Sequence, residues 1–298
     1  MSRISFVGIG RMGECMAANL AGAGFDMMLY DLDRERAAAV ADRIGAAASG
    51  SIAEIADCDV LIAMLPTSDD VQQVLLRAED GAFLRHAKRG TIVVDMGSSE
   101  PTTTRETGLL LEEIGVAMID APVSGGVPRA EDGSLTIMIG SDDEAAVEQA
   151  MPVLEVLGKQ LFRVGRLGAG DAMKAANNYA AAATYAATAE ALSMGKRFGL
   201  DPKLMVDIIN VSTGRSFVSE LVMKEHVVTG AYSTGFGLAL LTKDVGIAER
   251  LGDQMDLDAP LSHLVYERMK QAVAACGEGA DHSEAIRGWY EDLWEKPE

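Results

Sequence analysis

The residues best suited to do chemistry lie just past the middle of the chain, in Gly168-Ala169-Gly170-Asp171-Ala172-Met173-Lys174 followed by Asn177-Asn178. On a helix, positions four apart share a face, so Lys174 and Asn178 project together. The small residues around them let another surface come close. A lysine held among apolar groups titrates below its ordinary range, which suits it to give or take the proton of an alcohol/carbonyl pair. The competing reading is a solvated helix lysine with no chemical task. Upstream, Ser124-Gly125-Gly126 follows the apolar run Val116 to Asp120. Two glycines expose backbone amides and the serine adds a hydroxyl, a donor set that fits a carboxylate or else makes an ordinary turn toward Pro128.

A third constellation opens the chain. Gly8-Ile9-Gly10-Arg11-Met12-Gly13 is a G-x-G-x-x-G directly after the apolar run Ile4 to Ile9 and at the start of a helical pattern. Gly8 allows a tight turn, Gly10 lets the backbone approach a pyrophosphate, and Gly13 lets the helix pack on the strand, with the helix amides facing the phosphates. A second apolar run ends at Asp31, eighteen positions after Gly13, close to the roughly 20 expected for an acid that binds the adenosine ribose. A carboxylate there accepts from the 2′-hydroxyl of NAD and repels the 2′-phosphate of NADP. The cofactor expected is therefore NAD, with NADP second because Arg34 could hold a 2′-phosphate. Asp33 is the better cap for the next helix.

These groups need a scaffold. Ile4 to Ile9, Met27 to Tyr30, Val60 to Leu65, Thr91 to Met96, Val116 to Asp120, Leu135 to Ile139 and Leu161 to Val164 read as strands. The segments Asp33 to Ile44, Ser68 to Arg77, Thr102 to Ile114 and Asp142 to Leu157 carry helical spacing. Such alternation implies a parallel sheet covered on both faces. Past Gly165 the expected elements are helices: Asp171 to Phe198, ending at Gly199, then Lys203 to Ser212, Ser216 to Val228, Leu238 to Leu251, Pro260 to Ala275 and Ser283 to Trp294. The fold class is α/β, an N-terminal Rossmann-type doubly wound sheet over residues 1–165 followed by an all-helical C-terminal domain over 166–298.

Composition bounds the function. The chain has 298 residues, 48% hydrophobic and 24% charged, ordinary for a globular protein of one large or two average domains. Lys and Arg number 26 against 45 Asp and Glu, a net charge of −19 that repels phosphate backbones and anionic membranes. No apolar run approaches the length of a membrane helix. The first ten residues read as strand and turn, not as a signal segment, so the expected location is the cytoplasm. Cys15, Cys58 and Cys276 lie far apart, as do His86, His226, His263 and His282. That pattern implies reduced thiols, no metal and no Ser/His/Asp triad.

Taken together the motifs resemble those of the β-hydroxyacid dehydrogenases, a family that includes 3-hydroxyisobutyrate dehydrogenase and 2-hydroxy-3-oxopropionate (tartronate semialdehyde) reductase. Phe6 to Gly13 running on to Met16-Ala17-Ala18-Asn19 resembles the family's nucleotide fingerprint. Asp120-Ala121-Pro122-Val123-Ser124-Gly125-Gly126 resembles its substrate loop, Gly168 to Asn178 its catalytic helix, and Phe236 with Lys243-Asp244 its C-terminal signature. The resemblance implies Lys174 as general acid/base, with Asn178 orienting it or the substrate. It implies Ser124, Gly125 and Gly126 on the substrate carboxylate, Phe236 and Asp244 closing the substrate site, and Gly8, Ile9, Gly10, Arg11, Met12, Gly13, Asp31, Leu65, Pro66, Ser98 and Lys243 on the cofactor. Gly97 departs from the pattern, which commonly has serine there. The helical domain is expected to complete the active site and to carry a homodimer or homotetramer interface.

The activity implied is NAD-dependent interconversion of a small β-hydroxy carboxylate and its aldehyde or ketone, 3-hydroxyisobutyrate first. Tartronate semialdehyde reductase or a dicarboxylate enzyme is the alternative, and a catalytically silent dinucleotide-binding scaffold is the non-enzymatic one. Arg215, in Ser212-Thr213-Gly214-Arg215, is either a reader of a second carboxylate or a structural residue.

Overall fold

The computed structural model describes residues 3–294. Contacts divide the chain into two compact units, Met1–Lys174 and Ala175–Glu298. The first holds a nine-stranded sheet: β1 (Arg3–Val7), β2 (Asp26–Tyr30), β3 (Ala47–Ala48), β4 (Val60–Ala63), β5 (Ile92–Asp95), β6 (Ala117–Asp120), β7 (Val123–Ser124), β8 (Leu135–Gly140) and β9 (Gly158–Gly165). The order is β3-β2-β1-β4-β5-β6-β8-β7, with β9 paired to β8.

Strand periodicity builds two cores, one on each face of the sheet. Ile4 and Phe6 of β1, Val60 and Ile62 of β4 and Val94 of β5 join Met16, Ala17 and Leu20 of the helix Arg11–Gly22. Val7, Leu61, Ala63 and Val93 point the other way, toward Ile52, Leu75, Phe83 and Leu111. Alternate residues of a strand face opposite sides, so a run such as Val60–Ala63 is apolar and buried throughout because helices cover both faces.

The sheet is parallel from β3 to β6, and there the expectation of an all-parallel sheet fails. β8 runs antiparallel to β6 and β7. A parallel return needs a crossover of a dozen residues or more, usually a helix. Between β7 and β8 the only helix is the six-residue Gly126–Glu131, too short for that, and the chain folds back beside its own strand. The 14-residue helix Glu144–Leu157 does permit a crossover, and β9 returns parallel to β8. The helix expected over Ser68 to Arg77 is regular only to Gln72, then winds wider through Gln73–Arg77 and leads into a kinked helix, Ala78–His86.

The second unit is helical: most of Ala169–Phe198, then Pro202–Asn210, a wide-wound segment Val218–Val227, Leu238–Gln254 and Pro260–Cys276. Tyr185, Leu192, Val206, Met223, Leu241, Val245, Met269 and Ile286 form its core. Asp201 caps the second helix, with Pro202 at its first position, as Pro's preset φ favours. The final helix is shorter than its sequence suggests, a single turn His282–Glu284 followed by Ala285–Trp289. The chain leaves helical geometry at Tyr290 to bury Trp294, whose indole N–H donates to Ser193 Oγ at 2.9 Å. Among the described residues no helix is long and apolar enough to cross a membrane.

Candidate active site

Strand register brings the expected cofactor residues to one edge of the first unit. Tyr30 pairs with Val7, Val7 with Ala63, Ala63 with Asp95 and Asp95 with Asp120. Five strands thus end in one row, spanning four strand spacings or roughly 19 Å. The segments that leave this row are 8–13, 31–33, 64–66, 96–99 and 121–126, which hold every cofactor and carboxylate position expected in this unit. β1 lies between β2 and β4, so the chain reverses its winding direction there. That reversal is the crevice where open α/β sheets bind ligands.

The glycine turn is shaped for a phosphate. Gly8 has φ +93°, and a Cβ on it would lie 2.3 Å from the Met64 carbonyl oxygen; one on Gly13 would lie 2.0 Å from the Gly8 oxygen. Both positions need glycine, one for its backbone angle and both for close approach. Around Gly10 a Cβ would meet nothing within 4 Å, and Gly10 precedes the helix Arg11–Gly22 without a side-chain cap. Open space and uncapped amides fit a pyrophosphate at this helix start. Asp31 has a structural task beside its expected one: its Oδ2 accepts from the Ile9 amide at 2.7 Å, tying the glycine turn to the end of β2. Asp33 caps the next helix, as read. Arg34 is committed elsewhere, with its guanidinium 4.1 Å from the centre of the Tyr30 ring and donating to Tyr30 Oη and the Ser49 carbonyl.

Leu65 and Pro66 follow β4, and Ser98 follows β5 on the same edge. The glycine at 97 has a local cause, since a Cβ would sit 2.6 Å from the Leu65 carbonyl oxygen. A serine therefore does not fit this backbone. Ser124 closes β7, Gly125 adopts φ +140°, and Gly126 opens the short helix. The helix Arg11–Gly22 holds the short helix Gly126–Glu131 through Asn19, whose Nδ2 donates to the Ala130 carbonyl at 2.7 Å.

Lys174 lies in the second turn of the helix Ala169–Phe198 and is buried. The start of that helix is held by an acid that motif reading noted only as part of a loop. Asp120 Oδ1 accepts from the Gly168 amide and Oδ2 from the Asp171 amide, both at 2.8 Å. Asp171 in turn accepts from the Ser99 amide at 3.2 Å and from Thr104 Oγ1 at 2.7 Å. Asp95 accepts from Ser99 Oγ at 2.7 Å and from the Gly97 amide at 3.0 Å. Burial pushes Asp120 up to about 6 against the lowering effect of its amide bonds. Burial raises Asp171 too, helped by the charges of Asp95 and Asp120. The signal available in sequence was an acid ending each of two wholly apolar strands, Asp95 and Asp120.

In the second unit Asn178 Nδ2 donates to Asp244 Oδ2 at 2.5 Å, and Lys243 Nζ lies 3.0 Å from Asp244 Oδ1. Asp244 is buried, Lys243 partly so. Phe236 packs edge-on against His282, with ring centres 5.9 Å apart. Arg215 is exposed and paired with Glu220 at 2.7 Å. All three cysteines are free thiols. No group of three or more His, Cys, Asp or Glu among the described residues has metal-site geometry.

A glycine turn open to a phosphate at the sheet's reversal point, followed along the chain by a helical unit, is the arrangement of an NAD(P)-dependent dehydrogenase. Comparison with known proteins gives the family. Residues 3–165 match the NAD binding domain of 6-phosphogluconate dehydrogenase, and residues 168–289 match the NAD-binding domain of NADP-dependent 3-hydroxyisobutyrate dehydrogenase. The chain is 36% identical to 2-(hydroxymethyl)glutarate dehydrogenase of Eubacterium barkeri, over 96% of this chain and 94% of that one. It is 35% identical to the NAD-dependent L-serine dehydrogenase of Pseudomonas aeruginosa, covering 89% and 90%. The structure of 3-hydroxyisobutyrate dehydrogenase from Mycobacterium tuberculosis with L-serine superposes with a TM-score of 0.88 at 31% identity, covering 97% of this chain and 99% of that one. The chain belongs to the β-hydroxyacid dehydrogenase family, and it is an NAD-binding oxidoreductase acting on a CH–OH group.

Proposed function

We propose that this enzyme oxidises the primary alcohol of a small acid HOCH2–CH(R)–COO⁻ with NAD, 3-hydroxyisobutyrate being the first candidate. The named relatives act on acids that share this skeleton and differ in R: methyl, ammonium or a carboxyethyl arm. One observation carries the reading: Lys174 is buried on the same face of one continuous helix as Asn178. NAD, which the turn Gly8–Gly13 and Asp31 would hold, would supply the hydride acceptor for this oxidation. Lys174, as the neutral amine, takes the hydroxyl proton while the C=O bond forms.

The remaining assignments follow. Gly8, Ile9, Gly10, Arg11, Met12 and Gly13 hold the pyrophosphate, Asp31 the ribose, and Leu65, Pro66, Ser98 and Lys243 the rest of the cofactor. Ser124, Gly125 and Gly126 bind the substrate carboxylate. Asp244 acts through Asn178, whose amide it already holds, and Phe236 excludes water. The anchoring of Arg34 on Tyr30 and Ser49 supports NAD over NADP. Residues 1–165 form the cofactor domain, and 166–298 supply Lys174, Asn178, Phe236, Lys243 and Asp244 together with contacts for a homodimer or homotetramer. The exposed apolar residues Phe198, Leu204, Ile208, Val211 and Phe217 support self-association. We place the enzyme in the cytoplasm.

The test is initial-rate measurement with 3-hydroxyisobutyrate, serine, glycerate and 2-(hydroxymethyl)glutarate, each with NAD and with NADP. A kcat/KM for 3-hydroxyisobutyrate with NAD at least tenfold above the other pairs is expected. Preference for another acid reassigns R, and silence on all four despite measurable NAD binding rejects the reading.

A further inference from the structure

Asp120 belongs to two expected functional segments at once: it begins the carboxylate-binding loop, and its side chain bonds the start of the helix that carries Lys174. We propose that Asp120 and Asp171 are positioning residues, a carboxylate clamp that fixes Lys174 against the loop Ser124–Gly126. The inference rests on the assignment of Lys174 as the proton-transfer group.

Three independent features of the first unit support it. Asp120 accepts two backbone amides with its two oxygens, Gly168 and Asp171. These amides at a helix start have no partner within the helix, and a carboxylate there is favoured by the helix dipole. Second, the space is cut for a carboxylate. A Cβ on Gly140 would lie 2.4 Å from Asp120 Oδ1, and one on Gly170 2.8 Å from Oδ2. Third, Asp171, three residues before Lys174, bonds the Ser99 amide and the Thr104 hydroxyl. It thereby ties the same helical turn to the loop that carries Ser98. One network joins the cofactor loop, the substrate loop and the helix turn before the lysine, and its chain order (95, 99, 104, 120, 171) shows that only the fold assembles it.

The chemistry also predicts which substitution fails. A carboxylate accepts at both oxygens, whereas an amide accepts at one and sets N–H₂ against the second N–H donor. Asp120→Asn therefore keeps the volume and breaks half the clamp.

The experiment compares full-length wild type, Asp120→Asn and Thr104→Val. It reads kcat and KM with the best acid of the panel, Kd for NAD, and amide hydrogen exchange in peptides spanning residues 168–176. For Asp120→Asn the expected result is a kcat about tenfold or more lower, with exchange about tenfold faster at 168–176 alone. KM and the Kd for NAD should stay within about twofold. For Thr104→Val, which removes one donor to Asp171, a kcat loss of about threefold is expected, and this variant decides the matter where Asp120→Asn does not fold. Unchanged exchange or unchanged kcat overturns the proposal, as does a kcat loss matched by equal loss of NAD affinity and by faster exchange throughout the chain. If wild type is inactive on the whole panel, the substrate reading fails, while the exchange comparison still upholds or rejects the clamp.

Discussion

Both compact units bury carboxylates, and Asp120 of the first and Asp244 of the second are satisfied by different means. In the α/β unit Asp120 is held by backbone amides, Gly168 and Asp171. In the helical unit Asp244 is held by side chains, Asn178 and Lys243. The cause lies in the architecture. Strand ends and helix starts leave backbone amides without partners, and a sheet gathers several of them at one edge. Inside a helix the helix's own amides are already used, and Asp244, within Leu238–Gln254, finds its donors on side chains. A site made from backbone is fixed by topology, whereas one made from side chains is adjustable by substitution.

Lys174 and Asn178 sit on either side of the division between the units, and their variants sharpen this contrast most. Lys174→Ala should lower kcat by about 10³-fold, within the range for removal of a general acid/base, with NAD affinity within about twofold. A variant retaining most of its rate would reject the assignment. Asn178→Ala is expected to lower kcat by about tenfold only, because orienting contributes less than proton transfer; equal losses would show the two acting as one unit.

Next in size is Asp244→Ala. It strips Asn178 and Lys243 of a buried partner and should cost about 1–3 kcal/mol by urea denaturation. Asp244→Asn is expected to recover most of that loss, since a side-chain network re-forms where a backbone clamp cannot. Failure of this rescue would remove the distinction between the two acids.

A pH series separates the clamp from the rest of the fold. Burial holds Asp120 up to about 6 and raises Asp171 as well, so the folded chain keeps these protons more tightly than the unfolded one. Their contribution to stability is fullest below the ordinary carboxylate range and is lost as pH rises through about 6. The unfolding free energy of wild type from urea denaturation should fall relative to that of Asp120→Asn between about pH 4 and 6, by up to about 1.4 kcal/mol per pH unit for each proton. Parallel pH profiles would mean that Asp120 ionises in the fold as freely as in the unfolded chain. The smallest effect belongs to Arg215→Ala. Its ion pair with Glu220 is exposed, worth about 0.5 kcal/mol or less, and KM for 3-hydroxyisobutyrate should not move. A KM increase confined to 2-(hydroxymethyl)glutarate would identify Arg215 as the reader of a second carboxylate.

Where local geometry carries the information, the chain states it in one dimension. The run from Gly8 to Gly13 must be a turn entering a helix because glycine alone tolerates the angle at Gly8 and the contact at Gly13. Residue patterns placed β1, β2, β4, β5, β6, β8 and β9, though not the two-residue β3 and β7, together with the Asp33 cap and the long helix bearing Lys174 and Asn178. The family resemblance gave those residues their expected chemistry. What failed to show depended on partners distant in sequence. The reversal of β8 follows from the length of a connection relative to the strand it must recross. The shortened last helix follows from Trp294 finding Ser193, and the reason for glycine at 97 from the carbonyl of Leu65. The pairing of Asp120 with Gly168 and Asp171 spans about fifty residues of chain. No local pattern encodes that contact, because a buried acid's donors are whichever amides folding brings within 3 Å of it.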